Sequence, residues 1–153
     1  MIMHKVMFLA LFVLITGGTL VAQDMHHHVP EKIQRSFHRD YPEARDPQWS
    51  SSNGQWHAYF DDHSRYDRGE MVAYYDQYGH HIDSHIPYDR DDVPSAVVER
   101  THRNYPDGKN YTYTRIERSG GQPLFRVELN LENKNRTLYV DESGHEQKYH
   151  DHH

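Results

Sequence analysis

From Val29 the apolar residues return at every fourth position, as Val29, Ile33, Phe37 and Tyr41. Val93, Val97, Thr101 and Tyr105 follow the same spacing, with Ala96 widening the stripe. A four-residue period predicts a helix of about three turns with one buried side. Pro30 and Pro94 suit the first turn, where an amide hydrogen has no partner to lose, and Pro42 and Pro106 stop the helix. Beyond each helix the period shortens to two. Trp56, Ala58 and Phe60 alternate with His57 and Tyr59, and Phe125, Val127 and Leu129 alternate with Arg126 and Glu128. One side of each such strand packs on the helix and the other is left to solvent. The pattern predicts strands over Pro47–Ser51, Gln55–Phe60, Glu70–Asp76 and His80–Ile86, then over Asn110–Arg118, Pro123–Leu131, Arg136–Asp141 and His145–His150. Asn53-Gly54, Gly120-Gly121, Asp76 to Gly79 and Asp141 to Gly144 carry the turn residues between them.

The two halves match each other in outline. Val29-Pro30 returns as Val93-Pro94 and Tyr41-Pro42 as Tyr105-Pro106, both 64 residues on, and Tyr75 to His80 returns as Val140 to His145 after 65. The fold expected is α+β: a tandem repeat of two units, residues 29–88 and 89–153, each one helix followed by a four-stranded antiparallel sheet, with the polar stretch Pro87–Asp92 at the join.

Ahead of the repeats, Met1–Ala22 has one charged residue, Lys5, an apolar run from Val6 to Ile15, a Gly17-Gly18 break and a small residue at its end. That is the layout of a secretory signal peptide cleaved after Ala22 or Gln23, and the apolar run is shorter than the ~20 residues of a membrane span. Residues 23–28 form a histidine-rich tail. The product expected is periplasmic or secreted, with no membrane insertion after cleavage.

Composition narrows the chemistry. With no cysteine, disulfides, thiolate metal sites and thiol catalysis are excluded. A net charge of −6, from 17 basic and 23 acidic residues, argues against a nucleic-acid partner. There is no Gly-rich phosphate loop, Gly-x-Ser-x-Gly turn or His-Glu-x-x-His helix, and the paired carboxylates Asp61-Asp62 and Asp91-Asp92 fall in turns. The chain is read as a non-enzyme.

Twelve tyrosines and fifteen histidines remain to be explained. The strand phase opposite the helices is expected to present Tyr59, Tyr74, Tyr113 and Tyr139 with Arg126, side chains that anchor protein interfaces through large contact area and a polar tip. Two sheets side by side would make one extended surface for an unidentified protein partner in the cell envelope. No cofactor is required by this reading. The alternative is binding of Zn, Cu or Ni by imidazole and carboxylate. His81, Asp83 and His85 stand at i, i+2 and i+4, which on an extended strand point one way. His26 would follow a new N-terminus at Asp24, and His150 and His152 close the chain. The lone histidines His38, His57, His63 and His102 are expected to face solvent, and protonation below about pH 6.5 would make the chain less acidic.

The series Val29-Pro30, Phe37, Tyr41-Pro42, Trp49, Asp76 and Gly79, followed by Val93-Pro94, Tyr105-Pro106, Asp141 and Gly144, resembles the PepSY-like periplasmic proteins of Bacteroidetes-type bacteria. Their fold is similar to that of the beta-lactamase-inhibitor protein (BLIP-like). The resemblance spans about residues 29 to 150. It implies tandem helix-plus-sheet units, export, and binding or inhibition of a partner protein, and it carries over no catalytic residue. Trp49 has no tryptophan counterpart in the second unit, and the histidine content is higher than the family pattern.

Overall fold

In the computed structural model, residues 28–61, 69–132 and 134–149 are described. The signal peptide, His26, His63, His150 and His152 lie outside them.

Both helices start and stop where the prolines direct. The first, α1 (Glu31–Asp40), has Pro30 at its N-cap, whose carbonyl accepts from the N–H groups of Ile33 (2.9 Å) and Gln34 (3.2 Å). Glu31 in the first turn and His38 and Arg39 in the last complement the helix dipole. At its end the Tyr41 N–H donates to the Phe37 carbonyl at 2.7 Å, and Pro42 forbids another turn. The second, α2 (Ser95–Asn104), repeats this: Pro94 accepts from Val97 (2.9 Å) and Val98 (3.3 Å), and Tyr105 donates to Thr101 (3.0 Å).

Four strands follow α1, namely β1 (Gln48–Ser52), β2 (Gln55–Phe60), β3 (Met71–Asp76) and β4 (His81–Tyr88), and three follow α2, namely β5 (Lys109–Arg118), β6 (Leu124–Leu131) and β7 (Lys134–Asp141). They form one antiparallel sheet in chain order. The join predicted as a linker is partly strand: β4 runs on through Tyr88, pairs with β5, and hands over to α2 by a short 3-10 turn at Arg90–Asp92. Asn53 (φ 52°) and Gly54 (φ 77°) turn the first hairpin with both residues left-handed, the geometry that suits twisted strands. A strand was expected at His145–His150; among the described residues that stretch makes a single bridge, Glu146 with Val140.

Each helix buries its stripe on the same side of the sheet. Ile33 and Phe37 of α1 pack with Ala58, Phe60, Met71, Ala73, Tyr75 and Ile86. Val97 of α2 packs with Tyr113, Phe125, Val127, Leu129, Leu138 and Val140, and Tyr88 touches both clusters. Phe37 is a hub, its ring 4.8 Å from Phe60, 5.4 Å from Trp49 and 5.6 Å from Tyr41. At the corresponding place in α2 stands Thr101, whose buried hydroxyl donates back to the carbonyls of Val97 (2.9 Å) and Val98 (3.0 Å).

Two turns pin the sheet to the helices in the same way. Asp76 Oδ1 accepts from the N–H groups of Tyr78 (2.8 Å) and His80 (2.9 Å), and Asp141 Oδ1 from those of Ser143 (2.9 Å) and His145 (3.0 Å). Gly79 then lies against the Lys32 carbonyl of α1, and Gly144 against the Ala96 carbonyl of α2. Among the described residues no helix is long and apolar enough to cross a membrane.

Candidate functional site on the helix-free face of the sheet

Side chains alternate across a strand, so the cross-strand pairs opposite the two cores define the other face. One row on it runs His57, Tyr74, Asp83. The next runs Tyr59, Val72, His85, Ile116, Leu124, Asp141, and a third runs Pro87, Thr114, Arg126, Tyr139. Tyr59, Arg126 and Tyr139 are half-buried. Tyr74 is on the face but sealed, with the rings of His57 and His85 each 4.8 Å from its own. His85 Nε2 stands 3.6 Å from Asp83 Oδ1, and the hydroxyl of Tyr149 donates to Asp83 Oδ2. At the β1 edge Tyr59 also lines an open groove of about 600 Å³, shared with Glu43, Arg45, Asp46, Asp61 and Glu70.

Of the five side chains expected together, four share this face and Tyr113 does not. Tyr113 pairs with Tyr88 and Val127 and is buried in the second core. Ahead of it the β5–β6 register shifts between Lys109 and Thr112, and Asn110 takes a left-handed φ of 53° there. Asparagine tolerates that conformation better than most residues. Beyond that shift Tyr113 and Arg115 alternate with Thr114 and Ile116, and the unbroken β4–β5 register opposite Tyr88 sets Tyr113 on the helix side.

The same correction applies to the histidines. Tyr74 pairs with Asp83 but Tyr75 pairs with His81, so Ile82 is an extra residue in β4. His81 therefore turns to the helix side, away from Asp83 and His85. Its ring lies 5.5 Å from that of Tyr75, and its Nε2 is 2.6 Å from Ser84 Oγ. Burial pushes its pKa down, against the opposing pull of Asp40 and Asp83. Among the described residues no group of three histidine or acidic side chains converges so as to hold a metal. His57, expected in solvent, is buried beside Tyr74, whereas His38 and His102 are exposed.

Ser84 merits a chemical reading because a serine, a histidine and an aspartate lie close by. Its hydroxyl is 2.6 Å from both Tyr41 Oη and His81 Nε2, and the residue has no exposed surface. These contacts tie the end of α1 to β4. The Tyr75 hydroxyl adds a second tie, donating to Asp40 Oδ2 at 3.2 Å. Pattern reading of the sequence missed Tyr149 and the acceptor role of Asp83, because the two are 66 residues apart. An aspartate between Ile82 and Ser84 in a central strand was the only signal available.

Searches of protein-family models and of curated proteins give no match. Solved structures do match. A DUF2874 family protein from Bacteroides uniformis superposes with a TM-score of 0.70 at 18% identity, over 78% of this chain and 87% of that one. A BLIP-like protein from Bacteroides fragilis gives 0.67 at 20% identity, over 82% and 94%. A candidate periplasmic protein from Bacteroides eggerthii gives 0.70 at 17%, over 79% and 87%. The chain shares their fold. That fold is α+β, an antiparallel sheet with helices on one side.

Proposed function

We propose that this chain is an exported, non-enzymatic binding protein that holds a partner protein of the cell envelope on the helix-free face of its sheet. The observation that carries the reading is that face: Tyr59, Arg126 and Tyr139 lie half-buried on it, spread from β2 to β7. Half-buried tyrosine and arginine are positioned to bury further area on docking without new ordering cost. The matching Pro30/Pro94 caps and Gly79/Gly144 contacts support two tandem units, residues 29–88 and 89–153, each a helix with its own part of the sheet. The names of the neighbours, BLIP-like and candidate periplasmic, support partner binding and a periplasmic address for residues following the signal peptide 1–22.

The test is capture of an envelope protein by the purified mature chain, followed by alanine substitution. Tyr59→Ala and Tyr139→Ala should each weaken capture by about tenfold or more, the range of an interface anchor. Tyr78→Ala should leave it unchanged, since Tyr78 is 64% exposed on the turn beside Lys32, off this face. Equal capture by all three variants would remove the face from the account.

A further inference from the structure

Tyr74, Ile116 and Leu124 lie on the face opposite both helices and belong to neither core, yet they are only 3%, 0% and 2% exposed. A sheet packed on one side is ordinarily wet on the other. The chain's own C-terminal end crosses this one. After Gly144 it makes the single bridge from Glu146 to Val140, and the Gln147 N–H donates to the Tyr139 carbonyl at 2.7 Å. Tyr149 then lays its ring 4.9 Å from that of Tyr139 and donates its hydroxyl to Asp83. Asp83 on β4 and Tyr139 on β7 are three strands apart, about 14 Å at ordinary strand spacing. Tyr139, Tyr149 and Asp83 bridge that distance in series, over the row His85, Ile116, Leu124, Asp141.

We propose that this strip is a docking groove for an extended protein segment that presents a tyrosine, and that Glu146–Tyr149 occupies it in the unbound chain. The proposal rests on the partner-binding reading above and specifies its chemistry. Three features select the occupant. Asp83, 2% exposed, is a carboxylate aimed at a hydroxyl donor. Tyr139 is an aromatic wall, and its backbone carbonyl receives an incoming N–H. Tyrosine satisfies the carboxylate while burying its ring, and an extended backbone satisfies the strand edge. Glu146, Gln147 and Lys148 of the resident segment remain exposed, so its hold on the sheet is open to exchange with a partner segment of the same pattern.

The experiment uses the full mature chain carrying Tyr149→Ala, which removes the resident ring from Tyr139 and its hydroxyl from Asp83, and a synthetic peptide of residues 145–153 as the probe. The peptide should bind this variant saturably by calorimetry, and bind the unaltered chain at least about tenfold more weakly because its own segment is in place. A Tyr149→Phe peptide should bind about tenfold or more weaker than the native peptide, the loss expected for a hydrogen bond to a carboxylate. Failure of the native peptide to bind, equal binding of the Tyr149→Phe peptide, or tighter binding of a Tyr149→Lys peptide overturns the proposal. So does a concentration-dependent dimer of the unaltered chain in sedimentation, which would make a second copy the occupant. Should Tyr149→Ala not fold, hydrogen exchange on full-length Tyr149→Phe decides instead. The Gln147 amide should exchange about tenfold faster than in the unaltered chain, and unchanged exchange refutes the groove. Peptide binding without any effect of Tyr59→Ala or Tyr139→Ala on partner capture would keep the groove and discard the partner reading. The converse would keep the partner reading alone.

Discussion

Replacing Gly144 by alanine adds one methyl group at the point where the last turn meets α2. Gly144 has φ +85°, and a Cβ built there would lie 2.7 Å from the Ala96 carbonyl oxygen, 3.2 Å from its carbon and 3.4 Å from Arg100 Cβ. Two costs follow. A left-handed φ costs an alanine about 1–2 kcal/mol. The contact with Ala96 cannot be relieved by a rotamer, because the carbonyl belongs to helix backbone, and forced shifts of this kind cost about 1–3 kcal/mol. The sum is about 2–5 kcal/mol, which in a domain of this size lowers Tm by roughly 6–25 °C. Gly120 separates the two costs: its φ is +71°, and no described atom lies within 4 Å of its added Cβ. Gly79, whose Cβ would sit 3.2 Å from Ser36 Oγ and 3.3 Å from the Lys32 carbonyl, falls between. Urea denaturation followed by circular dichroism should therefore rank the losses Gly144→Ala, then Gly79→Ala, then Gly120→Ala. A Gly144→Ala loss within about 0.5 kcal/mol of Gly120→Ala, the scatter between independent sites, would refute the docking of this turn on α2.

Further outcomes follow from the cores and the titrating groups. Phe37→Ala should cost about 3–5 kcal/mol, as a buried aromatic hub does, while Thr101→Ala in the matching place should cost no more than about 1 kcal/mol; equal losses in denaturant would contradict the packing described. His81 stays neutral in the folded chain to lower pH than in the unfolded chain, because burial outweighs Asp40 and Asp83. The unfolded state takes up its proton near pH 6.5, so stability falls as pH drops below that value, by at most about 1.4 kcal/mol per pH unit from this residue, until the folded pKa is reached. His81→Gln should show a shallower acid slope below about pH 6.5, and parallel curves would exclude His81 as a contributor. Asp141 has its pKa lowered, first by the His145 N–H, with Gln147 and Ser143 adding to it. Its contribution is present above the ordinary carboxylate range and lost as pH falls through the depressed folded value. Asp141→Ala should thus cost about 1–3 kcal/mol near neutrality and much less in strong acid, and a loss independent of pH would place its effect elsewhere.

Much of the frame was legible in the pattern of apolar positions. Ile33, Phe37 and Val97 were placed by a period of four, and Trp56 to Phe60 and Phe125 to Leu129 by a period of two, because burial on one side is the only arrangement those spacings allow. Face assignment failed where cross-strand register decided it. Ile82 parted His81 from Asp83 and His85, since a slip of one residue reverses every side chain beyond it, and Tyr113 stands in the second core because its register opposite Tyr88 puts it on the helix side. Both events depend on backbone geometry that no local composition signals. The predicted last strand failed for a different reason. Its residues carry no apolar alternation to hold them in the sheet, and the long-range bond from Tyr149 to Asp83 takes them off the edge and over its face. His57 was misplaced in the same way, because nothing nearby in sequence reveals what lies above Tyr74.

Photo-cross-linking in the intact envelope tests the central claim most directly. A photoreactive residue is placed at Tyr59 and at Tyr139 on the helix-free face, and at Arg35 and Glu99 on the exposed sides of α1 and α2. The account predicts one discrete cross-linked partner from the two sheet positions and none from the helix positions. The same partner captured from Arg35 or Glu99, with none from Tyr59 and Tyr139, would contradict it.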